Sequence, residues 1–344
     1  MRIWFNKTFS SINTVFNNMR QARVGQGVTV ISTHTNPLAS VFLAADEAWH
    51  EPPGLVGAAY LAWCLDFCQQ QRIDYFWPAK ESVLLVRHRA DFAQIGTQVI
   101  AVATPETLTL LNDKGEFYRL VSPAVASAMA CIAVTDCNGF DQAVAELSQH
   151  HAALCVKPAV SVFGLGFRIL DTQRDSITHL LEGVEYEIPL VELRAGMAHT
   201  PTFPTLLVME HLPGDEWSVD CAGRDGQLLC AIQRRKHPQA GYGQEIDNNA
   251  AVQGMVERLT AHYGLNGLFN IQFKANALGE PRLLEINPRP AGGFGLACLA
   301  GVNLAEVFLQ SLQGETPIIA PLRYGLRVSE VSTPVVLQGV ETVP

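Results

Sequence analysis

Strand and helix alternate along the first third of the chain, and this alternation limits the possible folds more than any other feature. Short apolar strands are predicted at 3–5, 28–32 and 75–77, with helices at about 10–21 and 55–71 between them. Strands that are connected through helices usually run parallel, because the helix carries the chain back across one face of the sheet. The sequence therefore predicts an α/β N-terminal lobe that is built on a parallel sheet.

The pattern changes after about residue 110. Strands are predicted at 153–157 and 206–212, and two hairpins are predicted at 217–234 and 268–287. An amphipathic helix is predicted at 248–262. Hairpins pair antiparallel strands, so we expect an α+β region here rather than a continuation of the parallel sheet.

Length and composition exclude several classes of protein. The 344 residues suffice for two or three domains, and the net charge of −9 argues against a nucleic-acid partner. Polar residues at 6–8 interrupt the apolar start before a signal peptide can form, and the apolar stretch 55–65 is too short to span a membrane. The eight cysteines lack metal-ligand or disulfide spacing, which favours free thiols in a reducing cytoplasm.

The most informative segment is 283–290, which reads LLEINPRP. In a strand, Glu285 and Asn287 share one face and the apolar residues beside them share the other. Two oxygen ligands on a common face suit a hard cation such as Mg²⁺, and Arg289 would follow just past the metal. Taken alone, the pair of polar residues is explained equally well by a solvated strand edge.

Gln272 would supply a third ligand. If the hairpin turns at Leu278 and Gly279, Gln272 lies opposite Glu285. Its side-chain oxygen can bind Mg²⁺ but adds no charge, so the predicted site holds one carboxylate and two amides. Nucleotide phosphates and water would complete the octahedron.

Three further fragments favour a phosphate compound as ligand. Lys157 stands on a predicted strand before the loop 161–166, which is able to fold over phosphates. Lys114 lies at the border of the two chain regions, and an apolar strand ends at Glu210 shortly before Glu216. Either lysine alone is explained more simply as a surface residue.

In this order, the fragments resemble the ATP-grasp superfamily from about residue 112 to about residue 314. The ligand set is similar to that of carbamoyl-phosphate synthase, and the run Arg-Pro-Ala-Gly-Gly is similar to carboxylate–amine ligases. The chain also resembles the ATP-grasp proteins of tellurium-resistance-associated gene clusters. The resemblance implies a pre-ATP-grasp lobe at 1–110, a small lobe at 111–185, a metal-binding C-terminal lobe at 186–314 and a tail at 315–344 that packs on the domain.

The resemblance also implies roles for the matched residues. Contacts to ATP would come from Lys114 and Lys157 at the phosphates, Ser161 and Gly164 in the phosphate loop, Glu210 and Leu212 at the adenine, and Glu216 at the ribose. Mg²⁺ or Mn²⁺ would bind Gln272, Glu285 and Asn287, while Arg289 and Lys157 would stabilise the transferring phosphoryl group. The loop is poorer in glycine than is usual in the family, which predicts either a stiffer closure or packing of Phe163 on the nucleotide or substrate.

A basic cluster is predicted to receive the substrate. Arg234 and Arg235 follow a predicted strand and would point toward the site if that hairpin turns at Asp225 and Gly226. Gly292 and Gly293 open a predicted helix, and such a turn can hold an anion. A solvated strand end explains the two arginines equally well.

The resulting hypothesis is an ATP-dependent ligase that activates a carboxylate as an acylphosphate for attack by an amine, with release of ADP and phosphate. A carbamoyl-phosphate-type phosphorylation of bicarbonate or carbamate ranks lower, because the chain contains no glutaminase or second synthase half. A regulatory protein that binds ATP without chemistry is the third reading. The expected partners are small-molecule carboxylates and amines, without nucleic acid or membrane, and a homodimer is compatible with the family.

Overall fold

The computed structural model describes residues 1–9, 11–160, 165–237, 243–337 and 339. The chain divides into two compact units. Unit 1 comprises Met1–Thr109, Asp215–Gln272 and Ile286–Pro344, and unit 2 comprises Leu110–Gly214 and Phe273–Glu285. Among the described residues, the helices are too short or too polar to cross a membrane.

A five-stranded parallel sheet forms the N-terminal part of unit 1. Its strands are β1 (Arg2–Phe5), β2 (Thr29–His34), β3 (Glu47–His50), β4 (Tyr75–Trp77) and β5 (Gln98–Val99), and the helices of this part are α1 (Ile12–Gln21), α2 (Gly57–Gln70), α3 (Ser82–Arg87) and α4 (Arg89–Gln94). The strand order is β3-β2-β1-β4-β5, and every pairing is parallel. The predicted α/β lobe is therefore confirmed.

Apolar side chains of the strands and helices hold this sheet together. Trp4 is fully buried and stacks on Phe76, with ring centroids 4.0 Å apart. Cys64 and Cys68 share the buried face of α2, as their spacing of four residues predicts. All eight cysteines fall within the described residues and are free thiols.

Unit 2 contains a second sheet of five strands. After α5 (Pro105–Asn112), which crosses the border of the units, its elements are α6 (Lys114–Leu120), β6 (Cys131–Val134), α7 (Cys137–Leu147), β7 (Leu154–Pro158), β8 (Arg168–Asp171), α8 (Ser176–Glu182), β9 (Glu187–Pro189), α9 (Leu190–Ala198) and β10 (Leu206–Glu210). The strand order is β6-β10-β7-β8-β9, with antiparallel pairs except for β8 and β9. This mixed sheet fits the predicted α+β class.

A six-stranded sheet lies mainly in unit 1. Its elements and the surrounding helices are β11 (Glu216–Arg224), β12 (Gln227–Lys236), β13 (Gln244–Asp247), α10 (Ala250–His262), β14 (Gly267–Ala275), β15 (Pro281–Asn287), α11 (Phe294–Cys298), α12 (Leu304–Leu312) and β16 (Arg327–Val328). The strand order is β15-β14-β11-β12-β13-β16. The ends of β14 and β15 around their connecting turn, residues 273–285, belong to unit 2.

Two local predictions in this sheet are confirmed. The hairpin between β11 and β12 turns at Asp225 and Gly226, whose φ angles of +50° and +80° suit a tight turn between twisted strands. Helix α10 buries the apolar side that its periodicity predicts, including Val252, Val256 and Leu259. Sequence-local signals were sufficient for both elements.

Residues from the two ends of the chain meet within unit 1. The side chain of Asn303 donates a hydrogen bond to the Asn18 carbonyl at 2.7 Å, and Trp77 packs against Phe308 with ring centroids 5.1 Å apart. Near the C-terminus, β16 adds an antiparallel edge to β13. The structure divides into two units, and the finer domain boundaries predicted from the sequence stay predictions. These are 1–110, 111–185, 186–314 and 315–344.

Candidate functional site

Two lysines and one glutamate meet in unit 2. Lys114 is the first residue of α6, and Asp113 caps that helix by accepting a hydrogen bond from the Glu116 amide at 3.1 Å. Nζ of Lys114 lies 3.1 Å from Oε2 of Glu285 on β15, and the two side chains are only 14% and 24% exposed. The carboxylate that is predicted to bind a metal is therefore paired with a lysine that is predicted to bind phosphate.

Lys157 reaches the same region from β7. Burial and, after it, the neighbouring charge of Lys114 lower the pKa of Lys157 below its ordinary value. Nζ of Lys157 lies 3.5 Å from the hydroxyl oxygen of Tyr118 and 5.4 Å from the centroid of its ring. Two ammonium groups in a partly buried setting make a positive potential that attracts a polyanion.

The turn between β14 and β15 differs from the predicted one. The Asn276 amide donates to the Glu280 carbonyl at 3.0 Å, so the loop has three residues rather than two, and Gly279 adopts φ +81°. The pairing at the turn is thereby shifted by one residue. Leu283 and Ile286 lie on opposite faces of β15 and are both buried, so other parts of the protein cover both faces of this strand.

The three predicted metal ligands do not all belong to one unit. Gln272 and Asn287 are residues of unit 1, and Glu285 is a residue of unit 2, on strands that continue from one unit into the other. Gln272 and Asn287 are half-buried, as is Glu285. Their joint binding of Mg²⁺ stays a prediction, as does the placement of Gln272 opposite Glu285.

Arg289 lies just beyond β15, as predicted. Its Nη1 donates to the Pro290 carbonyl at 3.1 Å, and its guanidinium carbon lies 5.5 Å from the centroid of the Phe9 ring. An aromatic face attracts a cation and restricts its orientation. Phe9 follows β1 in the N-terminal sheet, so this part of unit 1 contributes to the surroundings of Arg289.

The Glu210 side chain is bound within unit 2. Its carboxylate accepts a hydrogen bond from the Ala130 amide at 2.9 Å and lies 3.2 Å from Nδ1 of His151. Leu212, two residues on, is buried. These contacts stabilise the end of β10, and the contact of Glu210 and Leu212 with adenine stays a prediction.

The acidic residues at the start of β11 face basic residues at the end of β12. Glu216 accepts a hydrogen bond from the Lys236 ammonium, and Asp215 lies 3.3 Å from Nη1 of Arg235. The antiparallel register pairs Glu216 with Lys236 and so brings these charges together. The role of Glu216 at a ribose stays a prediction.

Arg234 and Arg235 have different surroundings, although they are adjacent in sequence. Arg234 is 1% exposed, and its guanidinium binds Asp220 at 2.7 Å and donates to the Ser218 hydroxyl at 3.0 Å. A Cβ atom at Gly293 would overlap the Arg234 guanidinium, which is held in place by Asp220 and Ser218, so a larger residue there would have to displace it. Arg234 is thus a buried support beneath the glycine turn rather than a group that is open to a substrate.

Arg235 borders a cavity of about 250 Å³ in unit 1. The charged and titratable residues that line it are Asp215, Arg235, Lys236, His237, Glu245 and Arg327. Arg235 is bound to three carboxylates, whereas Arg327 on β16 makes no ion pair with any described residue. Within the described part of the chain, the cavity therefore presents a cationic group without an ion-pair partner.

The predicted phosphate loop is only partly described. Ser161, Phe163 and Gly164 lie outside the described residues. Gly166 adopts φ +81°, and a Cβ atom there would lie 2.7 Å from the Pro158 ring. Glycine is therefore required where the chain leaves the loop. Gly292, the other predicted glycine of the anion turn, is exposed.

A second cluster of titratable groups lies near the edge of the unit 2 sheet that is formed by β8 and β9. Asp171, His179 and Glu187 approach within 4.8 Å of one another. Arg174 binds the carboxylates of both Asp171 and Glu187. The His179 hydrogen bond is the largest of several that hold the pKa of Asp171 well below its usual range. The cluster is an ion-pair network that joins β8, α8 and β9.

Two residues of the site were not predicted. Tyr118 is four positions after Lys114 on α6, and this spacing is the one signal that would have indicated it. Arg327 lies on a strand of two residues near the C-terminus, without any local pattern. Its place in the cavity depends on pairing between β13 and β16, which sequence periodicity does not encode.

Comparison with known proteins gives a family match for part of the chain and a set of solved structures with a similar fold. Residues 202–334 match the family described as "ATP-grasp in the biosynthetic pathway with Ter operon". No curated protein sequence matches the chain. Solved structures are similar in fold, and each of the three described next spans most of this chain.

N5-carboxyaminoimidazole synthetase from Staphylococcus aureus has 13% identity and a TM-score of 0.64, covering 91% of this chain and 77% of its own. The biotin carboxylase domain of Hydrogenobacter thermophilus 2-oxoglutarate carboxylase, solved with MgADP and bicarbonate, has 13% identity and a TM-score of 0.65, with 94% and 72% covered. L-amino acid ligase from Bacillus licheniformis has 11% identity and a TM-score of 0.60, with 90% and 73% covered. At these identities the likeness establishes a common fold.

Proposed function

We propose that this chain is an ATP-grasp enzyme, namely an ATP-dependent ligase that activates a carboxylate as an acylphosphate for attack by an amine or similar nucleophile. The products are ADP, phosphate and the ligated compound. The observation that carries the proposal is the meeting of Lys114, Lys157 and Glu285 in unit 2. These groups match the needs of phosphoryl transfer, in which positioning and charge stabilisation supply most of the catalysis.

The donor chemistry of the chain fits a hard cation. Gln272, Glu285 and Asn287 offer only oxygen ligands from side chains, which suits Mg²⁺ or Mn²⁺. When bound, the cation would neutralise phosphate oxygens and help to orient the triphosphate. The 3.1 Å contact with Lys114 indicates that Glu285 is already placed among positive groups.

The lysines would bind phosphate oxygens directly. Lys114 and Lys157 approach the site from α6 and β7, two elements of one unit. Binding of a triphosphate would give the buried ammonium of Lys157 the anionic partner that its environment favours. Arg289 would donate hydrogen bonds to the phosphoryl group as negative charge spreads over its oxygens.

The proposed chemistry has two steps. An oxygen of the substrate carboxylate attacks the γ-phosphorus of ATP, and the bond from that phosphorus to the bridging oxygen of ADP breaks. The amine nitrogen then attacks the acyl carbon, the carbon–oxygen bond to phosphate breaks, and the nitrogen loses a proton. Neither step requires a covalent nucleophile from the chain.

The cavity beside Arg235 is the proposed site for an acidic substrate. Its volume of about 250 Å³ is close to the lower end of the range for small-molecule pockets, about 300 Å³, and is more than bicarbonate needs. Arg327, which forms no ion pair with a described residue, and the neighbouring Lys236 would bind the acidic group. This size favours an organic carboxylate over the bicarbonate reading.

The test is a screen for ADP release. Purified protein with MgATP is mixed with a panel of carboxylates and amines, followed by mass analysis of the product. We expect ADP release that requires one carboxylate–amine pair and is lost in Lys157→Met. Lys7→Met, which changes an exposed lysine after β1, is the matched control and should retain activity. ADP binding without turnover under any pair would support the regulatory reading instead.

A further inference from the structure

Helix α6 directs two side chains toward the same neighbours. Lys114 and Tyr118 are four residues apart and therefore lie on one face of the helix. Lys114 pairs with Glu285, and the Tyr118 hydroxyl donates a hydrogen bond to the carbonyl of Leu284, the residue just before Glu285. The helix thus contacts β15 at two successive residues.

The Tyr118 hydroxyl also has a defined role toward Lys157. Burial raises the pKa of the phenol well above its ordinary value, so the hydroxyl keeps its single proton. That proton is given to the Leu284 carbonyl, so the oxygen can only accept from the Lys157 ammonium, which lies 3.5 Å away. The contacts form one directed chain from Lys157 through Tyr118 to Leu284.

We propose that Tyr118 is a positioning residue of the nucleotide site: its hydroxyl holds the Lys157 ammonium and fixes the backbone beside Glu285. The inference rests on the function proposed above, because it gives Tyr118 a role only through residues of that site. Tyr118 itself is not a catalytic residue, since it acts through Lys157 and the Leu284 carbonyl.

Packing alone does not account for a tyrosine at this position. The neighbouring Phe117 is 2% exposed and fills space without a polar group. A hydroxyl that is taken out of water costs free energy unless it is hydrogen-bonded on both sides, so a phenylalanine would serve packing equally well or better. The hydroxyl is justified by the two groups that it connects.

The contact with Leu284 has a second consequence for β15. The amide of Leu283, the residue before Leu284, donates a hydrogen bond to the Ser127 carbonyl at 2.8 Å. With Tyr118 bound to the Leu284 carbonyl, two successive backbone groups before Glu285 are tied to neighbouring segments of unit 2. The Glu285 carboxylate is thereby held where Lys114 reaches it.

The first experiment measures ADP affinity by calorimetry in the presence of EDTA, so that only protein groups contribute. Tyr118→Phe keeps the ring and removes the hydroxyl, and we expect it to raise the Kd for ADP about five-fold. Tyr186→Phe, which changes an exposed tyrosine of the same unit, should leave the Kd unchanged. Equal affinity of Tyr118→Phe and wild type overturns this inference alone, whereas no ADP binding by wild type either in EDTA or with Mg²⁺ overturns the proposed function together with it.

A double-mutant cycle separates positioning from general structure. If Tyr118 acts through Lys157, adding Tyr118→Phe to Lys157→Met should weaken ADP binding by much less than about five-fold. An equal loss in both backgrounds, which a merely structural role predicts, overturns the inference. Should Tyr118→Phe fail to fold, 3-fluorotyrosine at position 118 weakens the oxygen as an acceptor in a nearly unchanged shape, and unchanged ADP affinity there overturns it as well.

Discussion

The Lys114 ammonium lies 3.1 Å from Oε2 of Glu285, so a proposed phosphate ligand and a proposed metal ligand neutralise each other. The pair is partly shielded from water, which strengthens the attraction relative to an exposed pair. Binding of a metal by Glu285 and binding of phosphate by Lys114 would each break this contact. The two ligands are therefore expected to bind in a coupled manner.

Replacement of Lys114 should change the affinity of the protein for a metal ion when no nucleotide is present. In Lys114→Met, Glu285 loses its competing cation, and we expect Mn²⁺ alone to bind about three- to ten-fold more tightly. Electron paramagnetic resonance of free Mn²⁺ measures this Kd. Lys7→Met is the control, and equal or weaker Mn²⁺ affinity in Lys114→Met would contradict the assignment of Glu285 as a ligand.

Glu285→Ala and Arg289→Ala are expected to lower the rate of ADP formation by about 10²-fold or more while the fold remains intact. Loss of a preorganised donor such as Arg289 lowers kcat by about 10²–10³-fold, and loss of Glu285 removes the only carboxylate among the predicted metal ligands. A coupled assay for ADP and a thermal melt measure the two properties. Glu257→Ala on α10 is the control. Turnover near the wild-type rate in either site variant would contradict the site assignment.

Arg234 and Arg235 should differ in what their removal changes. Arg234→Ala leaves the buried Asp220 carboxylate unpaired, so we expect a loss of about 3–5 kcal/mol in the free energy of unfolding by urea. Arg235→Ala should cost less than about 1 kcal/mol and raise the KM for the acidic substrate, with the KM for ATP unchanged. An unchanged substrate KM in Arg235→Ala would remove this residue from the substrate site.

Lys157→Met should raise the melting temperature at pH 7 even though it removes activity. The pKa of Lys157 is lowered in the folded protein, mainly by burial, so its charged form destabilises the fold at neutral pH. This destabilisation by the charged lysine disappears as the pH rises through the ordinary lysine pKa near 10.4. The difference in melting temperature between Lys157→Met and wild type should therefore become smaller as the pH approaches this value. A lower melting temperature for Lys157→Met at pH 7 would contradict this reading.

Asp171→Asn tests the ion-pair network of unit 2. The pKa of Asp171 is depressed in the folded protein, first by the His179 hydrogen bond, so its stabilising effect is present above about pH 4 and is lost as the pH falls. We therefore expect wild type to lose more stability than Asp171→Asn between pH 6 and about pH 3. Melting curves over this range check the prediction, and parallel pH profiles would refute it.

Much of the fold was predictable from local patterns. The face of α1 that holds Val15 and Phe16, the turn at Asp225 and Gly226, and the buried side of α10 all follow from side-chain periodicity or turn chemistry. Strand β3 was not predicted, because its half-buried residues Glu47–His50 carry little apolar signal. The loop between β14 and β15 was predicted one residue too short, since the position of the turn depends on Gly279 adopting a positive φ.

The sequence by itself determined the alternation of elements, the ATP-grasp resemblance and the candidate residues Lys114, Lys157 and Glu285, because these depend on residue type and spacing. Only the tertiary structure decided that the Tyr118 hydroxyl meets the Leu284 carbonyl, 166 positions away. It also decided that Arg234 is buried while Arg327 lines a cavity. Burial and charge pairing arise from contacts between distant segments, and a local sequence pattern does not specify which segments come into contact.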